Sequence, residues 1–105
     1  MIGIDPGSRV CGYGVLESRG GEVKHLTSGS IAPGNAIPLN QRLRIIHESL
    51  MKLISEHSPE AMSVEDIFFA KNAKSAIKLG EARGVVLLAA SSSGIPVFEY
   101  PPTRI

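Results

Sequence analysis

The sequence has no tryptophan, one cysteine and five aromatic residues, three Phe and two Tyr. A lone Cys11 cannot close an internal disulfide, and no Cys/His spacing suggests zinc, which fits a reducing compartment. The longest uninterrupted apolar run, residues 85–90, falls far short of the ~20 residues that span a bilayer. A secretory leader pattern is missing too, because Asp5, Pro6 and Gly7 interrupt the N-terminus at once. These absences predict a cytoplasmic chain with no membrane partner. Excess charge of either sign is also lacking: 11 Lys+Arg against 10 Asp+Glu leave a formal +1, so any polyanion contact must come from local clustering. At 105 residues, with 43% hydrophobic and 20% charged residues, the composition excludes disorder and predicts one globular domain over 1–105.

Ile2 and Ile4 lead into Asp5-Pro6-Gly7-Ser8, a turn in which Pro presets one backbone angle and Gly supplies positive φ. Residues 10–16 read as a second strand whose Gly12 and Gly14 allow close backbone approach. Gly20-Gly21 turns the chain into a third strand over 23–31. The period then changes: Leu39, Leu43, Ile46, Leu50 and Leu53 recur at helical steps, with Asn40 as N-cap and Ser58-Pro59 as the stop. Residues 61–65 read as a fourth strand and 72–90 as a second helix with Ala73, Ile77, Gly80, Gly84 and Leu87 on one side. Gly80 and Gly84 each cost about 1 kcal/mol there relative to Ala, which usually marks the close approach of another backbone. A fifth strand over 95–100 ends at Pro101-Pro102. The order β-β-β-α-β-α-β predicts an α/β fold: a mixed five-stranded sheet in which the last two strands, entered through helical crossovers, run parallel to the first.

That topology brings Asp5, closing the first strand, beside Glu65, closing the fourth, at the carboxyl edge of the sheet, where open α/β folds place ligands. Two hard oxygen donors there suit Mg²⁺ or Mn²⁺, which keep coordination sites for water and phosphate oxygens. Asp before Pro-Gly is also a common turn initiator, and Glu65-Asp66 reads equally as a solvated strand end. Phe68-Phe69 follow immediately; they are either buried staples or a wedge that stacks on unpaired bases. Lys71, Lys74 and Lys78 recur at steps of three and four on one helical face, with Arg83 further along, and an anionic partner would relieve their mutual repulsion.

The opening Ile2-Gly3-Ile4-Asp5-Pro6-Gly7-Ser8-Arg9 with Gly12-Tyr13-Gly14, the block Val64-Glu65-Asp66-Ile67-Phe68-Phe69-Ala70-Lys71-Asn72, the stretch Lys78-Leu79-Gly80-Glu81-Ala82-Arg83-Gly84 and the ending Pro96-Val97-Phe98-Glu99-Tyr100 resemble, in order and from end to end, the RuvC family of bacterial Holliday-junction resolvases. The resemblance implies a ribonuclease H-like fold, a homodimer, Mg²⁺ dependence with Mn²⁺ able to substitute, and paired symmetric nicks at a four-way DNA junction during recombination and repair. It implies that Asp5 and Glu65 are the first two of four metal-binding catalytic carboxylates. By the same resemblance Phe68 inserts at the opened junction, Phe69 and Lys71 contact DNA, and Gly80 and Gly84 lie on a helix that helps form the dimer interface. Junction-binding and branch-migration motor proteins are the implied partners. The family's other two carboxylates lie on a final helix beyond Tyr100, and no Asp or Glu follows Glu99 here. The expectation is therefore a domain without its last helix, inactive or very weak by itself. Two alternatives remain: a non-catalytic junction-binding and dimerisation core, and a fragment of an actin-like or sugar-kinase ATPase, whose first phosphate loop Gly3-Ile4-Asp5-Pro6-Gly7-Ser8 also resembles.

Overall fold

Strict alternation sets the first strand of the computed structural model, which describes residues 1–7, 9–65 and 72–100. In β1 (Ile2–Asp5) the side chains of Ile2 and Ile4 are buried while Gly3 and Asp5 fall on the opposite face. β2 (Cys11–Arg19) and β3 (Glu22–Ile31) form a long hairpin turned by Gly20 and Gly21, both at positive φ. α1 (Leu39–His57) then crosses to β4 (Met62–Glu65), and α2 (Ala73–Ser92) crosses to β5 (Val97–Tyr100). The sheet order is β3-β2-β1-β4-β5; β1 is antiparallel to β2 and parallel to β4, and β4 is parallel to β5. This is the mixed five-stranded α/β sheet expected from the element order.

Both helices pack on one face of the sheet. Ile46, Leu50 and Ile54 of α1 and Val86, Ala89 and Ala90 of α2 join Ile2, Ile4, Cys11, Val15, Met62 and Val64 in a single buried cluster. Burial pushes the Cys11 thiol up to about 11, with the Asp5 carboxylate adding to the rise and a backbone hydrogen bond with Gly7 opposing it. It is therefore a small apolar core residue and no nucleophile at neutral pH. Among the described residues no helix is long and apolar enough to cross a membrane.

Several local expectations are corrected. α1 begins earlier than expected, with Pro38 in place of Asn40 as N-cap and no side-chain cap, so Asn40 lies inside the first turn. The Pro38 carbonyl accepts from the N–H groups of Gln41 and Arg42 at 3.1 and 3.0 Å. Arg42 is buried within that first part of α1, and its Nη1 donates to the Ile37 carbonyl at 3.1 Å. Asn72 is the N-cap of α2, its Oδ1 accepting from Ser75 N–H at 2.9 Å. The buried face of α2 is Ala82, Val86, Ala89 and Ala90, whereas Ile77 is 62% exposed. Among the described residues, the helix's own neighbouring backbone aside, no atom lies within 4 Å of a Cβ built on Gly80 or Gly84, so none of them makes the close backbone approach that these glycines suggested. Gly12 and Gly14 likewise meet no close backbone. Gly7 has no positive φ; a Cβ there would collide with the Val10 carbonyl, so space and not backbone angle calls for glycine.

Candidate active site

Ile4 pairs with Val64 across the parallel β1 and β4, so the next residues at the carboxyl edge, Asp5 and Glu65, close two neighbouring strands. Side chains at paired positions share a face, and neighbouring strands lie about 4.8 Å apart. The face is the one opposite the helices, since Ile4 and Val64 point into the core. Asp5 is exposed and Glu65 half-buried. The row extends both ways, with Gly12 paired to Asp5 and Tyr100 paired to Glu65. A second row, Gly14, Gly3, Ser63 and Phe98, lies behind it.

These rows floor an open groove of about 510 Å³ lined by Asp5, Gly3, Gly12, Gly14, Ser63 and Tyr100 among others. The floor is shallow at Gly3, Gly12, Gly14 and Ser63, which have little or no side chain. A Cβ on Gly12 would sit 3.6 Å from the Asp5 Cβ, so any longer side chain there would spread over the carboxylate. Tyr100, which the sequence reading left without a role, stands at the end of the row. Its phenol is raised above its ordinary range by burial first, then by the carboxylates of Glu65 and Asp5. Only the strand register could have found it, since alternation along β5 turns Glu99 to the helices and Tyr100 to the groove.

Asp5 and Glu65 are the hard oxygen donors this edge offers a cation. Among the described residues no group of three or more His, Cys, Asp or Glu could hold a metal ion. No histidine lines the groove.

Beyond Glu65, α2 carries Lys74, exposed, and Lys78, half-buried, one turn apart. Arg83 does not extend that basic face: its Nη2 lies 2.7 Å from Glu99 Oε2 on β5. Phe68, Phe69 and Lys71 lie outside the described residues. Gly80 and Gly84 are exposed on α2.

A family model described as "Crossover junction endodeoxyribonuclease RuvC" matches residues 1–105. The crossover junction endodeoxyribonuclease RuvC of Thermosipho melanesiensis is 45% identical over 105 residues, which are all of this chain and 67% of that protein. The protein of the same name from Myxococcus xanthus is 46% identical over 105 residues and is covered over 55% of its length. The chain thus spans 55–67% of these relatives. Among solved structures, T. thermophilus RuvC in complex with a Holliday junction substrate is similar with a TM-score of 0.88 at 33% identity, over 97% of this chain and 64% of that one.

Proposed function

The chain belongs to the RuvC family of crossover junction endodeoxyribonucleases, and from that membership we propose that it forms the junction-binding, metal-holding part of a structure-specific DNA endonuclease. The observation that supports this reading best is that Asp5 and Glu65 follow the paired Ile4 and Val64 at the ends of adjacent parallel strands, with Asp5 lining a groove floored by glycine and serine. Two neighbouring carboxylates would repel a phosphate unless a cation lay between them. Their all-oxygen donor set and open surroundings fit Mg²⁺, with Mn²⁺ as substitute, and leave room for the phosphate oxygens. When bound, such an ion supplies a polarised water and neutralises charge on a phosphodiester. The residues of the chain do the rest: Asp5 and Glu65 fix where the cation sits, and Gly12, Gly3 and Ser63 let a backbone strand approach it.

Lys74 and Lys78 give α2 a phosphate-contacting face, and Lys71, just before it in sequence, adds a further cation. Phe68 and Phe69 act at the opened junction and stack on unpaired bases. Junction-binding and branch-migration motor proteins are partners of the same reading. The test uses the protein that contains this span, with Mg²⁺ and a synthetic four-way junction. Paired nicks in opposite strands of the junction, with an equal-length duplex left intact, are expected; equal cleavage of the duplex overturns the reading. That no third carboxylate clusters with these two among the described residues favours a second reading, a junction-binding core without chemistry, for which structure-selective gel shifts persist with no nicking at any Mg²⁺ concentration.

A twofold dimer would bring two equivalent sites to two equivalent strands. We place Gly80 and Gly84 at that contact, since no other described residue occupies the space beside them. Gly84→Ala is therefore expected to stabilise the isolated subunit by about 1 kcal/mol through helix propensity while weakening self-association. Thermal unfolding and sedimentation equilibrium measure the two effects. An unchanged dimer would move the interface off this face.

A further inference from the structure

Glu65 and Tyr100 occupy directly paired positions on the parallel β4 and β5, so their side chains leave the same face one strand spacing apart. No hydrogen bond or ion pair to another described residue holds either one. Glu65 carries a long side chain with three rotatable bonds, and ordering it costs more than ordering Asp5. Nothing else in the two rows can do that ordering by donating to it: Gly12, Gly3 and Gly14 have no side chain, and Ser63 lies one row back.

β5 presents two aromatics to this face. Phe98 lies opposite Ser63 and Tyr100 lies opposite Glu65, so the ring with a hydroxyl is the one at the carboxylate row. Tyr100 is 39% exposed against 57% for Phe98 and lines the groove together with Asp5.

We propose that Tyr100 is a positioning residue of the carboxylate site, its phenol O–H donating to the Glu65 carboxylate and holding that group beside Asp5 for a divalent cation. The inference rests on the reading of Asp5 and Glu65 as the cation site. An O–H to carboxylate hydrogen bond is charge-assisted and short, and it uses one lobe of the carboxylate while leaving the others for the ion. Tyrosine can do this because its ring reaches along the face while its stem stays anchored in the strand.

The chain offers a direct spectroscopic test, because it has no Trp and only two Tyr. Tyr13 pairs with Ile4 and Gly29, and its hydroxyl would lie 2.9 Å from a Cβ on Gly29, toward β3 and away from the carboxylates. Tb³⁺ added to the 105-residue chain and excited through tyrosine should emit; Tyr100→Phe should abolish the emission and Tyr13→Phe should keep it. Mn²⁺ binding followed by electron paramagnetic resonance should weaken roughly three- to tenfold in Tyr100→Phe, the size of one net hydrogen bond. Asp5→Asn serves as the control for the site itself. Loss of Mn²⁺ binding in Asp5→Asn with none in Tyr100→Phe, or Tb³⁺ emission that follows Tyr13, overturns the role of Tyr100 alone. Unchanged Mn²⁺ binding in Asp5→Asn overturns the cation site and with it the inference.

Discussion

Replacing Asp5 by Asn, or Glu65 by Gln, is expected to lower Mg²⁺-dependent nicking of a four-way junction by on the order of 10³-fold or more, with junction binding retained. Either change keeps the shape of the side chain and removes its charge, so it tests the electrostatic role with little steric disturbance. Asp5 is exposed and Glu65 half-buried, and neither belongs to the core cluster, so both variants should fold as the parent does. Their effects should not add. On the proposed reading both carboxylates serve one cation site at the ends of β1 and β4, so removing either disables that site, and the double variant should be about as slow as each single one. Binding measured without divalent cation should be equal to that of the parent or tighter, because a negative charge beside the phosphate track is gone. The checks are single-turnover nicking with Mg²⁺ and gel shifts with EDTA. Full cleavage by either variant would remove both carboxylates from the chemistry.

The carboxylate edge was legible because two strong signals agree there. Ile2 and Ile4 alternate with Gly3 and Asp5, and a helical crossover forces β4 to run parallel beside β1. α1 was legible for a similar reason, since large apolar residues at steps of three and four leave one choice of buried face. α2 was not. Its core residues are mostly alanine, which contrasts weakly with the lysines and glycines around it, while the larger Ile77 and Leu88 are exposed and point a hydropathy reading to the wrong side. Gly7 was assigned a glycine's angle when what it needs is a glycine's volume, a fact set by the Val10 carbonyl three residues on. Tyr100 was beyond sequence reasoning altogether, because only the register of β5 against β4 decides which of Phe98, Glu99 and Tyr100 faces Glu65. Arg83 shows the same limit: helical spacing placed it near a basic face, and β5, folded back beside α2, supplied Glu99 as partner.

The open face of the sheet makes the opposite face carry the stability, and this predicts the largest effect on folding. Leu50 is fully buried at the middle of α1, in the one cluster that joins both helices to the central strands. Leu50→Ala removes three carbons from a site walled by β1, β2, β4 and α2 residues that are themselves fixed by strand pairing, so the cavity has little freedom to collapse. The expected cost is about 2–5 kcal/mol. A domain of this size has roughly 5–15 kcal/mol in total, so the variant should lose a large share of its folded population on modest warming. Urea unfolding should show a lower midpoint with an unchanged slope, because the same surface is exposed on unfolding. Leu53→Ala, half-buried one turn along the same helix, should cost distinctly less. The carboxylate row hangs on this core through Ile4 and Val64, the residues just before Asp5 and Glu65. Activity of Leu50→Ala should therefore fall with the folded fraction and recover on cooling, in contrast to Asp5→Asn, which stays folded and inactive at every temperature. Equal midpoints for Leu50→Ala and the parent would show that the helices do not share one core with the strands that hold the site.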